Sequence, residues 1–205
     1  MDWFERLTGF REGQTEGRQL DGLADLGVAL ARAVGRPVTA LWSMRNGYAL
    51  CSAEGLAAIN KHLDGLAPEG IDALRGRLRI GVHRDVEVTD GDGAPRQFVT
   101  QAYCSALPVA YSRLPSPSWE LFARLVLEAA YAATLCAAVL NARRGASDIV
   151  LLTRLGGGAF GNDDTWIDAA MHHALTTVTG LGLDVRLVSY GAPSHSLLDL
   201  ERAFR

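Results

Sequence analysis

From about residue 18 apolar residues recur at spacings of three and four: Leu20, Leu23, Leu26, Leu30 and Val34 form one stripe. The spacing predicts a helix that Gly35-Arg36-Pro37 stops. Val38, Ala40, Trp42 and Met44 then alternate as a strand would, and Asn46-Gly47 marks a tight turn. Ser52 is placed to cap a short helix with Leu56, Ile59 and Leu63 inward. Alternation over 78–88 and 98–107, joined by the polar turn 90–95, predicts an antiparallel pair. A proline-rich loop spans 108–117. Ser116-Pro117 should then open a helix to about Asn141, the hydroxyl capping and the proline at the first position. Its apolar face reads Phe122, Val126, Ala129, Ala133, Cys136 and Leu140, with Glu120, Arg124 and Glu128 as the polar stripe.

The last third is patterned most plainly. Ile149-Val150-Leu151-Leu152 reads as a strand buried on both faces. A glycine loop comes next, then a helix with Trp166, Ile167, Ala170, Met171, Ala174, Leu175 and Val178 inward, ended by Gly180 and Gly182. Leu183, Val185, Leu187 and Val188 form a final strand that stops at Tyr190-Gly191. Strand, loop, helix and strand in this order predict two parallel strands joined by a right-handed crossover.

Composition narrows the class. In 205 residues, 48% hydrophobic and 21% charged positions describe one globular domain, residues 1–205, and exclude wholesale disorder. A net charge of −3 lacks the basic excess of a nucleic-acid binder. The most apolar stretch, 129–140, is 12 residues, short of the roughly 20 a membrane span needs, so no membrane is expected. Met1-Asp2-Trp3-Phe4-Glu5 shows no secretory pattern, and Cys51, Cys104 and Cys136 have no metal or redox spacing. Buried free thiols and a cytoplasmic location are expected.

Chemistry concentrates at Gly156-Gly157-Gly158-Ala159-Phe160-Gly161. Amides free of side chains, between a strand and a helix start, form a phosphate-binding arrangement. A tight turn that needs glycine torsions is the plain alternative. The loop also fits the dinucleotide pattern G-x-G-x-x-G, with Asp184 lying 23 residues beyond Gly161. Against that reading, Asp184 begins a strand where the pattern wants an acidic residue ending one, and the loop lies near the C-terminus. Asp163 and Asp164 come directly after the loop. Either is a candidate to orient water for catalysis, but the stronger reading makes Asp163 a helix N-cap and Asp164 a first-turn acid. His172 and His173 are adjacent on a helix and splay about 100° apart. His62, His83 and His195 have no spacing partner, so no metal and no cofactor are expected.

The stretch 151–162 resembles the second, diphosphate-wrapping loop of macrodomains, in the poly(ADP-ribose) glycohydrolase-like branch with its G-x-G-A-F-G pattern. Segments 3–10, 46–48, 100–108 and 188–191 resemble proteins of the same branch. In those proteins a long section carrying the first, catalytic loop separates the Trp-Phe-x-x-Leu-Thr-Gly-Phe segment from the part that begins near Gly13-Gln14-Thr15. Here the two are nearly adjacent, as if deleted around residues 11–13. The resemblance implies a three-layer α/β/α fold with a mixed sheet, left incomplete by that deletion, and binding of ADP-ribose or an ADP-ribosylated partner. It implies that Gly156, Gly157, Gly158, Ala159 and Gly161 wrap the diphosphate. Phe160 would pack on the distal ribose, Asn162 would bond near it, and Tyr190 would lie against adenine. Relatives hydrolyse ADP-ribosyl bonds. The alternative is a truncated interaction module whose loop is only a turn. With Trp3, Phe4, Leu7 and Phe10 short of packing surface, self-association or a marginally stable monomer is expected.

Overall fold

Leu26 and Leu30, one turn apart, reach the core from helix α1 (Ala24–Val34), which Gly35 ends in a left-handed conformation, φ 67°. The computed structural model describes residues 19–89 and 95–205. The segment 1–12, the deletion point near 11–13 and most of the turn 90–95 lie outside the described residues.

Val38–Leu41 forms a single helical turn, α2, and not the expected strand start. Pro37 leads in with extended backbone, and the turn carries Leu41 and Trp42 together into the core. Gly27 makes room for that indole: a Cβ there would lie 2.9 Å from Trp42 Cζ2. Strands β1 (Trp42–Arg45) and β2 (Tyr48–Cys51) pair antiparallel. Asn46 and Gly47 between them both have positive φ, 50° and 80°, as a two-residue hairpin turn requires. Ser52 caps α3 (Ala53–Asp64), its Oγ accepting from Gly55 N at 2.9 Å, and Leu56, Ile59 and Leu63 are buried as their spacing predicts. A further helix, α4 (Pro68–Arg75), leads to the expected antiparallel pair β3 (Gly81–Glu87) and β4 (Phe98–Tyr103).

The long helix α5 (Glu120–Arg143) starts through a 3-10 turn, Ser116–Trp119, within which Ser116 caps nothing. Its buried face is wider than one stripe. Leu125, Leu127, Ala130, Tyr131, Leu135 and Val139 are inside with Phe122 and Val126, whereas Cys136 and Leu140 reach the surface. Glu128, read as part of a polar stripe, is buried and accepts from Arg75 of α4 at 2.9 Å through Nε. The cause is packing from two sides, by α3 and α4 and by the helix α6 (Asp164–Val178). The continuous run Ser116–Arg143 is long and apolar enough to cross a membrane, contrary to the 12-residue reading. Trp119, Phe122 and Leu135 are fully buried on it.

Strand β5 (Ile149–Leu152), the glycine loop, helix α6 and strand β6 (Asp184–Leu187) succeed one another as predicted, with β5 and β6 parallel. All seven predicted core positions of α6 are buried. Strand β5 is buried on one face only: Val150 and Leu152 are inside, while Ile149 and Leu151 are 45% and 65% exposed. A C-terminal helix, α7 (His195–Ala203), is capped by Ser194. Among the described residues the architecture is mixed α/β with three separate two-stranded sheets. The single mixed sheet of a three-layer macrodomain is not formed among the described residues, because each ladder pairs only within itself. One apolar cluster nevertheless runs from Leu26 to Leu200.

Candidate functional site

At the C-terminal end of β5 the chain turns back through a loop held from beneath. Tyr131 of α5 is buried, its hydroxyl donating to Thr153 O at 2.7 Å and accepting from Leu155 N at 2.7 Å. Burial pushes that phenol up to about 12. Gly156 and Gly161 are left-handed, φ 79° and 66°. Side chains at both are excluded by packing: a Cβ at Gly156 would lie 2.4 Å from the Ala106 methyl, and at Gly161 2.8 Å from that of Ala110. Asn162 is buried beneath the loop, donating from Nδ2 to Leu107 O at 2.9 Å, and its own amide closes onto Gly156 O at 3.0 Å. The amide of Gly161 bonds Gly158 O at 3.0 Å. The amides of Gly158, Ala159 and Phe160 meet no acceptor among the described residues.

Beside the loop lies a cleft of about 470 Å³, walled by Thr153, Arg154, Gly157, Gly158 and Asp164, and by Val188, Ser189 and Tyr190 from beyond β6. Its place outside the carboxyl ends of two parallel strands is where open α/β sheets bind ligands. A larger trough, about 790 Å³, opens between β6, the end of α6 and α7. There Asp184 pairs with Arg186 and Glu201 with Arg205, so the charged side chains of its walls neutralise one another.

Arg154 sets the charge of the glycine cleft. Its Nη1 bonds Asp168, and its Nη2 reaches Asp164 Oδ1 at 2.7 Å and the Asp164 carbonyl at 3.2 Å. Burial works against the guanidinium charge, but the bonds to Asp168 and Asp164 outweigh it and hold its pKa above the ordinary value. Asp163 is the N-cap of α6, accepting from Thr165 Oγ1 at 2.6 Å and Thr165 N at 2.8 Å. These bonds hold its carboxyl below the usual carboxylate range.

The residues singled out in the sequence thus separate. Gly157, Gly158, Asp164 and Tyr190 share one cleft, and the Tyr190 side chain is fully exposed. Gly156, Gly161 and Asn162 shape the loop from inside. Ala159 is exposed, and Phe160 packs edge-on against Tyr48 and Tyr111, with ring centres 5.5 and 5.6 Å away. Asp163 faces its own cap and lies apart from the cleft walls. Asp184, the acidic residue of the dinucleotide pattern, begins β6 and pairs with Arg186, far from the carboxyl end such a residue must occupy. Of the cysteines, Cys136 is exposed, contrary to the expected burial, and burial raises Cys51 to about 12. No three His, Cys, Asp or Glu side chains converge as metal ligands among the described residues.

Sequence reasoning misses Arg154 and Tyr131. Asp164 and Asp168, four apart on one helix face, signal a cation facing them. A tyrosine inside the apolar run of α5 signals a buried hydroxyl in need of partners. Comparison with protein-family models, with curated proteins and with solved structures finds no match to this chain.

Proposed function

We propose that the chain binds ADP-ribose, or a partner carrying it, at the glycine loop, and that its architecture is macrodomain-like with the diphosphate half retained. One observation carries the reading. Three successive amides, Gly158, Ala159 and Phe160, lack acceptors among the described residues, at the end of a parallel strand and ahead of a 15-residue helix. Gly158 lines the cleft, so an oxyanion there is offered its N–H beside the start of the helix, where the dipole is positive. The adjoining cleft ends at the exposed ring of Tyr190, an apolar surface for a base. Diphosphate flanked by a base and a second sugar is the ligand class with this sequence of demands. Lowering the barrier at an anomeric carbon needs the distal ribose and a water held together. One loop supplies part of that geometry, so an ADP-ribosylated protein should be bound and left intact.

A second reading, a loop that is only a turn, is favoured by the inward engagement of Asn162 and Phe160. Calorimetry separates the two. ADP-ribose should bind more tightly than adenosine or ribose 5-phosphate. Gly158 is the clean position for a blocking charge, since a Cβ there meets nothing within 4 Å. Gly158→Glu should fold normally and lose binding at least tenfold. Unchanged affinity in that variant would remove the loop from the site.

A further inference from the structure

The cleft already contains an anion of its own. Asp164 Oδ1 lies 2.7 Å from Arg154 Nη2, and a Cβ built on Gly157 would sit 3.8 Å from that same oxygen. The carboxylate therefore stands between the guanidinium and the glycine loop. The two partners of Arg154 differ in kind. Asp168, with its side chain 21% exposed, is enclosed with the guanidinium, which is itself 21% exposed. The Asp164 side chain is 76% exposed, so water can solvate it once it lets go. We infer that Arg154 is an anion-binding residue of the cleft and that Asp164 is its built-in competitor, displaced when a diphosphate-class anion enters.

Charge repulsion favours the exchange. Arg154 is one cation facing two carboxylates. A third anion beside it, with both still in place, would meet net repulsion in a half-enclosed cleft. With Asp164 turned to solvent, the incoming oxygens inherit its position, the guanidinium keeps two anionic partners, and the repulsion between Asp164 and the ligand is relieved. Guanidinium forks match phosphate oxygens as well as carboxylate oxygens, so the substitution is geometrically neutral. Breaking an exposed ion pair is inexpensive, which makes the competition adjustable and salt-sensitive. The inference rests on the proposed binding function and gives it a residue-level selectivity: the cleft rejects weak single anions and admits those able to outcompete Asp164.

The test is a titration with inorganic pyrophosphate and with ADP-ribose at low salt. It uses the full chain, Asp164→Asn and Asp163→Asn. The Asp163 variant removes the same charge one residue away and keeps a side chain that caps equally well. Asp164→Asn should bind both probes about fivefold more tightly than the parent, as expected for release of an exposed pair. The gain should shrink at high salt, and Asp163→Asn should match the parent. Equal gains in both variants would mean general charge only and overturn the inference. Unchanged or weaker binding in Asp164→Asn, with the parent binding ADP-ribose, would overturn it while leaving the proposed function intact. A gain seen for pyrophosphate without any preference for ADP-ribose would uphold the anion exchange and sink the ADP-ribose reading. No binding of either probe by any of the three proteins would overturn both. Arg154→Gln adds a second check: it should weaken both probes in the Asp164→Asn background, and retained affinity there would exclude Arg154 as a contact.

Discussion

Gly156 and Gly158 lie two residues apart and serve opposite purposes. Gly156 needs its left-handed torsion and its missing Cβ because Ala106 presses against it, whereas Gly158 borders the cleft with open space around it. Counting glycines in the sequence could not separate the two; the neighbour at Ala106 comes from 50 residues upstream. The same holds for Tyr131, whose hydroxyl serves both Thr153 and Leu155 where β5 becomes the loop. Tyr131→Phe removes two part-buried hydrogen bonds, to Thr153 O and from Leu155 N, and should cost about 1–3 kcal/mol by denaturant unfolding. A pH signature goes with it. Burial raises the phenol from an ordinary value near 10 to about 12, so the folded state holds the proton more tightly. A raised pKa contributes stability below the unfolded value that is lost as pH rises through the folded one. Stability should therefore fall between about pH 10 and pH 12, with Cys51 adding to the same decline from its ordinary value upward. The Tyr131 share should vanish in Tyr131→Phe. An identical alkaline slope in that variant would show that the hydroxyl is not enclosed.

Helices α5 and α6 show what periodicity reveals at the scale of elements. Helix α6 packs through one face, so its seven core positions stand out in the sequence and all are buried. Helix α5 is covered from two sides, so no single stripe describes it, and a spacing of four and three selects Cys136 and Leu140, which lie at the surface. The same effect hides Glu128, whose side chain is 8% exposed against Arg75 at 19%. Arg75 also pairs with the exposed Asp72, so Glu128→Ala leaves it one partner, and the change should cost about 1–3 kcal/mol after discount for that partner and for the partial exposure of Arg75. The double change Arg75→Met with Glu128→Leu should recover most of that loss. A cost under about 1 kcal/mol for Glu128→Ala, measured by urea unfolding, would mean that the pair is solvated and α4 is not anchored through it. The Val38–Leu41 turn escapes sequence reading for another reason: four residues fit an alternating and a helical pattern equally well, and only the burial of Leu41 with Trp42 decides. The candidate site is legible to the same degree. The glycine loop and the helix behind it can be read locally, while the ring of carboxylates around Arg154 spans 10 and 14 residues and exists only once β5 and α6 are docked.

Among the described residues, three two-stranded sheets leave every strand with one unpaired edge. On β3 that edge carries His83, Arg84, Asp85 and Glu87 and a register shift between His83 and Val86, devices that discourage pairing with another chain. The β5/β6 ladder is the unusual one, since parallel strands are ordinarily covered on both faces. Val150, Leu152, Val185 and Leu187 turn inward, and the opposite face presents Ile149 and Leu151 beside the Asp184–Arg186 ion pair. Aliphatic residues on β5 argue for a cover over that face, and the ion pair on β6 argues for water. The ion pair should win, because a cover would have to desolvate both charges at a cost of several kcal/mol, whereas leaving Leu151 wet forgoes roughly 2 kcal/mol. Leu151→Ser should therefore change stability by no more than about 0.5 kcal/mol. Leu152→Ala, one residue on and pointing inward, should cost about 2–5 kcal/mol. The melting temperature should be independent of protein concentration. A penalty near 2 kcal/mol for Leu151→Ser, or a melting temperature that climbs with concentration, would show the face to be covered in solution. Association through the Ile149 and Leu151 face would then be part of how this fold is stabilised.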